Sequence, residues 1–182
     1  MILVNRKGAA YRDDQIVAWS HYRDPIDTSN NRLAGNTRIW GDASTETQRA
    51  SIDALIVASK ANRLNVRQTA LVLAIAHTES GFNPDAAAGT TSASGLGQFV
   101  DSTGKAYGLG EKNLWDANKQ ALALVQHFID NQRLAQSRAQ GEEFIYKYHH
   151  DGPTKDYGGL RISTQRVLPL ADRYEAMLKS AQ

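Results

Sequence analysis

The segment His77-Thr78-Glu79-Ser80-Gly81-Phe82-Asn83-Pro84 places one carboxylate, Glu79, where an apolar stretch runs out. A Gly-, Ser-, Ala- and Thr-rich segment follows and ends in Ser94-Gly95-Leu96-Gly97-Gln98-Phe99. A carboxylic acid at a helix end, facing a polar loop, is suited to delivering a proton to the oxygen of a sugar–sugar bond. For that work the acid must keep its proton near neutral pH, and desolvation moves a glutamate in that direction. The apolar run Leu71–Ala76 just before Glu79 offers such surroundings.

Several neighbours have suitable chemistry. Gln98 carries both donor and acceptor capacity, fit for a sugar N-acetyl group or for the carboxylate itself. Gly95 and Gly97 allow close approach of backbone to a ligand. The later segment Tyr146-Lys147-Tyr148-His149-His150-Asp151-Gly152-Pro153 supplies Tyr148, whose hydroxyl is expected to hold Glu79, and His149, expected to line a groove. Adjacent histidines on a helix point roughly 100° apart. No His-x-x-x-His pair and no cysteine accompanies them, so no metal and no cofactor are expected. His77 lies two residues before Glu79 and faces elsewhere on the helix.

These residues need helices to position them. Ser44-Thr45-Glu46-Thr47-Gln48 reads as a cap with an acidic first turn, and Ile52, Leu55, Ile56 and Ser59 recur at helical spacing up to about Leu64. A second, central helix is expected from Val66 to Glu79. Residues 83–103 read as loop. A long helix is expected from Trp115 to about Ala139, with Leu122, Leu124, Val125, Phe128, Ile129 and Leu134 as its apolar face. A short helix over Glu142–His149 and a last one from Ser163 or Pro169 to Lys179 complete the pattern. Before Ser44, Tyr11–Tyr22 suggests a short helix with Ile16, Val17 and Trp19 turned inward. Residues 27–41 are polar, with Asn30, Asn31, Gly35 and Asn36 marking turns. No alternating strand pattern stands out. The expectation is a mainly α chain with an N-terminal extension (1–45) packed on or covering a single catalytic domain (46–182).

Glu79, Ser80, Phe82, Pro84 and Ala86, then Gly95, Leu96 and Gln98, then the Tyr-rich segment ending at Gly152, resemble the soluble lytic transglycosylase (SLT) family of the lysozyme-like superfamily. The resemblance spans roughly residues 70–153. In the third motif the chain departs from the family's Tyr-Asn-x-Gly, because His-His-Asp stands between Tyr148 and Gly152. The resemblance implies an all-α lysozyme-like domain with a substrate groove, and cleavage of the β-1,4 bond between N-acetylmuramic acid and N-acetylglucosamine. Glu79 would act as general acid and base, with Ser80, Ser94, Gly95, Gln98, Tyr148, His149 and Asp151 on the substrate. In that family the muramic acid C6 hydroxyl attacks C1 and leaves a 1,6-anhydro product. A hydrolytic muramidase is the alternative, with a water-activating base among Asp85, Asp101, Asp116 and Asp151. Asp116 fits the start of the long helix, where an acid suits the dipole. Ser80 could equally cap the helix end. An alternative of another class is a non-catalytic glycan-binding or structural module.

The bulk properties fit a protein working on an anionic wall polymer. The chain has 182 residues, 41% hydrophobic and 22% charged, with net charge +2 and no cysteine. That charge is too small and too scattered for a nucleic-acid binder. The apolar start after Met1 is too short for a signal-peptide core, and no run approaches a membrane span. Synthesis in the cytoplasm and delivery to the peptidoglycan, as a monomer and in the manner of a phage endolysin, are therefore expected.

Overall fold

The computed structural model describes residues 11–27, 32–33 and 37–181. The apolar N-terminus and the turn residues Asn30, Asn31, Gly35 and Asn36 lie outside them. The elements are α1 (Thr45–Ala61), α2 (Val66–Ser80), α3 (Asp101–Ala106), α4 (Ala117–Ser137), α5 (Glu143–Asp151), α6 (Gly159–Ile162) and α7 (Leu168–Ser180), with a π-turn, Ser163–Val167, between the last two. Among the described residues the β-type pairing consists of two isolated antiparallel bridges, Ala87–Ser94 and Ser94–Phe99.

Helix starts follow side-chain chemistry. Ser44 accepts the Thr47 N–H at the head of α1. Asn65 and Gln68 form a reciprocal capping box on α2, and Asp116 accepts the Asn118 and Lys119 N–H groups of α4. Helix α2 is the axle of the fold. Residues Ala70 to Ala76 are fully or almost fully buried, and the helix packs against α1, α4 and α7. Each of its buried Leu, Val and Ile side chains contributes about 1.5–3 kcal/mol by leaving water. A helix apolar all round must be interior, so its C-terminal turn opens from the protein's centre.

Three expectations need correction. Residues 11–24 form single 3₁₀ turns at Asp13–Gln15 and His21–Arg23 rather than a helix. Trp19 is 60% exposed there, because tertiary bonds such as Val17 N–H to Gly89 C=O hold the segment as a strap. In α4, Leu122 is 39% exposed. The buried stripe runs through Ala121, Leu124, Val125 and Phe128, at the i, i+3, i+4, i+7 spacing, and leaves Leu122 off the face. The loop after Asn83 ends early, since α3 begins at Asp101. The last helix, α7, begins at Leu168 with Pro169 in its first turn as expected, and the π-turn joins it to the short α6 that starts at Gly159.

Candidate active site

Glu79 lies in the last turn of α2, where the apolar axle meets a cleft of about 180 Å³. Residues from before α1 hold that helix end. Trp40 Nε1–H donates to the Thr78 carbonyl at 3.0 Å, and Gly41 N–H donates to the Ser80 carbonyl at 2.9 Å. Gly81 ends the helix with φ +59°, and a Cβ there would stand 2.6 Å from Gly41 Cα. Only glycine fits both the left-handed cap and that backbone crossing. Two larger residues also adopt left-handed conformations beside the site, Phe82 (φ +61°) and Gln98 (φ +50°). Such strain persists where the surroundings over-determine it. Phe82 is fully buried against the His77 and Tyr174 rings.

The Glu79 side chain is 15% exposed. Tyr146 of α5 donates its hydroxyl to Glu79 Oε1 at 2.7 Å. Burial is the largest influence on Glu79 and raises its pKa above the ordinary carboxylate range. The Tyr146 hydrogen bond and the charges of His150 and Arg166 pull the other way without cancelling it. Burial and the Glu79 charge push the Tyr146 phenol well above its ordinary value, so it remains a donor.

Behind the carboxylate lie two histidines held neutral. His149, with its side chain 4% exposed, puts Nε2 3.8 Å from Glu79 Oε1 and 2.9 Å from the Gly97 carbonyl. A carbonyl only accepts, so Nε2 carries the proton and Nδ1 is the acceptor. His127 Nδ1, 3.1 Å from His149 Nδ1, must then be the donor. Burial lowers the pKa of His127 to about 4 and that of His149 well below the ordinary value. Phe99 packs against both rings.

The structure distributes the sequence candidates unevenly. Gln98 joins Glu79 in the cleft lining, and its amide N–H₂ is spent on the Ala86 and Gly95 carbonyls, which leaves the amide oxygen for a ligand. Tyr148 does not hold Glu79. Its hydroxyl donates to Gln140 and accepts from Arg138 at 3.0 Å. The reason is helical phase: Tyr146, His149 and His150 share a face of α5, and Tyr148, two residues on from Tyr146, points away. Ser80 is fully buried, with Oγ donating back to the Ala76 carbonyl. Ser94 is buried and lines a separate cavity of about 140 Å³ with His21 and Phe99. Gly95 (φ +75°) leaves room for Gln120, whose Oε1 accepts the Leu96 N–H at 2.8 Å. His77 is buried and shares a 2.7 Å hydrogen bond with Tyr174 Oη.

Each aspartate considered as a base has protein partners. Asp85, fully buried, is paired with Arg32 and Arg38. Asp101 bonds His21 Nε2 at 2.8 Å, and Asp116 caps α4. Asp151 accepts from His150 Nδ1 at 2.6 Å and from Gly159 N–H at 3.2 Å. Burial alone would raise Asp151, yet those bonds and the Tyr157 N–H outweigh it and hold the carboxyl below its ordinary range. Among the described residues no group of three or more His, Cys, Asp or Glu is placed to hold a metal ion.

The linear motifs do not single out Tyr146, His127, Trp40 or Arg166. The helical phase of α5 was a usable signal for Tyr146. The others come from distant elements that a linear motif does not include.

Residues 56–129 match the family model of the Transglycosylase SLT domain. No curated protein and no solved structure matches the chain. The matched segment runs from within α1 into α4 and contains Glu79 and Gln98, while Trp40, Tyr146, His149 and Arg166 lie outside it. The fold is the all-α, lysozyme-like one of that domain, and the chain is an enzyme of the peptidoglycan lytic transglycosylase class.

Proposed function

We propose that this enzyme of the peptidoglycan lytic transglycosylase class uses Glu79 as its single general acid and base. The observation that carries the reading is one nearly buried carboxylate with a raised pKa, held by Tyr146 at the cleft. Protonated Glu79 gives its proton to the glycosidic oxygen, and the C1–O bond to the muramic acid breaks. The resulting carboxylate then takes the proton of the muramic acid C6 hydroxyl, whose oxygen bonds to C1. The chain's acid is thereby restored and the product carries a 1,6-anhydro end. Gln98, with its free amide oxygen, is placed to receive an N–H from the sugar's N-acetyl group.

A hydrolytic outcome would need a second group to take a proton from water. Asp85, Asp101, Asp116 and Asp151 are each bonded to arginine, histidine or backbone N–H groups, which favours the intramolecular hydroxyl. The direct test is Glu79→Gln with purified peptidoglycan. Turnover should fall by about a thousandfold with the fold retained, and an active Gln variant would overturn the assignment. Mass spectrometry of wild-type products should show anhydro ends, one water lighter than reducing ends. Reducing ends alone would establish the muramidase instead.

For its setting we propose lysis of the bacterial wall by a monomer in the phage endolysin manner. Purified enzyme should clear permeabilised cells. Cleavage of isolated peptidoglycan without clearing would remove the lytic role while leaving the chemistry intact.

A further inference from the structure

Arg166 sits in the π-turn, exposed, with its guanidinium 5.6 Å over the centroid of the Trp40 ring. Trp40 lines the Glu79 cleft and is itself immobilised. Its Nε1–H is bonded to the Thr78 carbonyl, and its ring is stacked on His77 at 5.9 Å. The cation is thus held at the rim of the active cleft by an aromatic face. Other arginines in the fold are used differently. Arg67 is bonded to Glu142, Asp172 and Glu175, while Arg32 and Arg38 share Asp85. Among the described residues no carboxylate pairs with Arg166 and no acceptor takes its N–H groups. Its charge nonetheless reaches the site, since it acts on both Glu79 and Tyr146. The π-turn gives this side chain its phase, and such turns recur at functional sites.

We propose that Arg166, presented by Trp40, is a substrate-binding residue that takes a carboxylate carried on the O3 lactyl branch of muramic acid. This rests on the peptidoglycan reading above and names the part of the substrate that the cation recognises. The sugar rings of the glycan are neutral. Its anionic groups near the scissile bond are the stem peptide's carboxylates or, on strands without peptide, the carboxylate of the lactyl group itself. A planar guanidinium whose donors are unspent matches a carboxylate by two parallel hydrogen bonds. An alternative role, tuning Glu79 by charge alone, would be met equally by lysine and would not discriminate between substrates.

The test compares wild type, Arg166→Ala and Arg166→Lys on peptide-bearing glycan, on glycan stripped of peptide, and in binding of chitooligosaccharide, which has no lactyl group. Each is measured at the variant's own optimal pH. Arg166→Ala should raise KM about tenfold, the size expected for a charge-assisted pair, on the glycan that carries the recognised carboxylate. The Kd for chitooligosaccharide should be unchanged. A KM effect confined to peptide-bearing strands assigns the stem, one confined to stripped glycan assigns the lactyl carboxylate, and an effect on both shows that the guanidinium takes either carboxylate. Arg166→Lys should keep the wild-type pH profile while losing part of the KM advantage. Equal changes on all three ligands, or none, would overturn the proposal. If wild type cleaves neither glycan, the enzymatic reading fails as well, which is a separate outcome.

Discussion

Tyr146 Oη lies 2.7 Å from Glu79 Oε1, a bond between the middle of α5 and the last turn of α2. It crosses 67 residues of sequence and joins the family-matched segment to the part of the chain beyond it. The bond has two effects. It fixes the direction of the carboxyl group, and it stabilises the carboxylate against the burial that disfavours it.

Removing that hydroxyl should separate these effects. In Tyr146→Phe, Glu79 loses an influence that lowers its pKa. The alkaline limb of the activity profile should move to higher pH, while kcat falls by roughly tenfold or more from lost orientation. Tyr148→Phe is the control, since its hydroxyl serves Gln140 and Arg138. It should leave the profile in place and cost only about 1 kcal/mol of stability. The two pH–rate profiles check this, and a shifted limb in the Tyr148 variant would reverse the assignment.

Glu79 also makes a stability prediction. Its folded-state pKa is above the ordinary 4.5, so the folded protein binds the proton more tightly than the unfolded chain. Stability is then greatest below the unfolded pKa and declines as pH rises through the folded one. Glu79→Gln removes that decline. Its melting temperature should exceed that of wild type at neutral pH, and the difference should shrink toward pH 4. Calorimetry across that range is the check.

Much of the helical frame was legible from side-chain pattern. The Ser44 cap, the apolar run of α2 and the acid at Asp116 each act within one turn of their own helix, so sequence spacing carries them. The site was only half legible. Glu79 stands out because a carboxylate ends an apolar helix. As a linear string the third motif points to Tyr148 as the partner of Glu79; wound onto α5 it puts Tyr146, His149 and His150 on one face. Ser80 and Gly95 turned inward for a related reason. Their types fit a ligand, but Ser80 is taken up by the Ala76 carbonyl one turn earlier in its own helix, and Gly95 by Gln120, reached only through the fold. The strap ahead of α1 carried no periodicity, since its order comes from bonds to Ala88, Gly89 and Asp85.

Asp85 is the anchor of that strap. Its carboxylate is fully buried and neutralised by Arg32 and Arg38, with Arg38 lying 3.9 Å from the Trp115 ring centroid. Asp85→Ala leaves two cations facing a void, and loss of one partner from a buried pair costs about 3–5 kcal/mol. Chemical denaturation should show that loss. Limited proteolysis should cut first within residues 11–24, where the released strap becomes accessible. A variant as stable as wild type would mean that the two arginines find other partners.

The His127–His149 pair sets the acid limit. Both rings are neutral in the fold, and the bond between their Nδ1 atoms needs one donor and one acceptor. A proton on either ring leaves two donors facing each other. Because both folded pKa values lie below 6.5, the unfolded chain binds more protons in acid, and stability is lost as pH falls below 6.5. For His127, lowered to about 4, the loss by the lower end of that window is on the order of 3 kcal/mol. His127→Gln keeps an amide donor for His149 and removes one titrating group. Its stability should therefore fall less steeply between pH 6.5 and 4, although its neutral-pH stability is lower from lost packing on Phe99 and Tyr107. Denaturation midpoints at several pH values measure the two slopes, and equal slopes would show that His127 is not a source of the acid sensitivity.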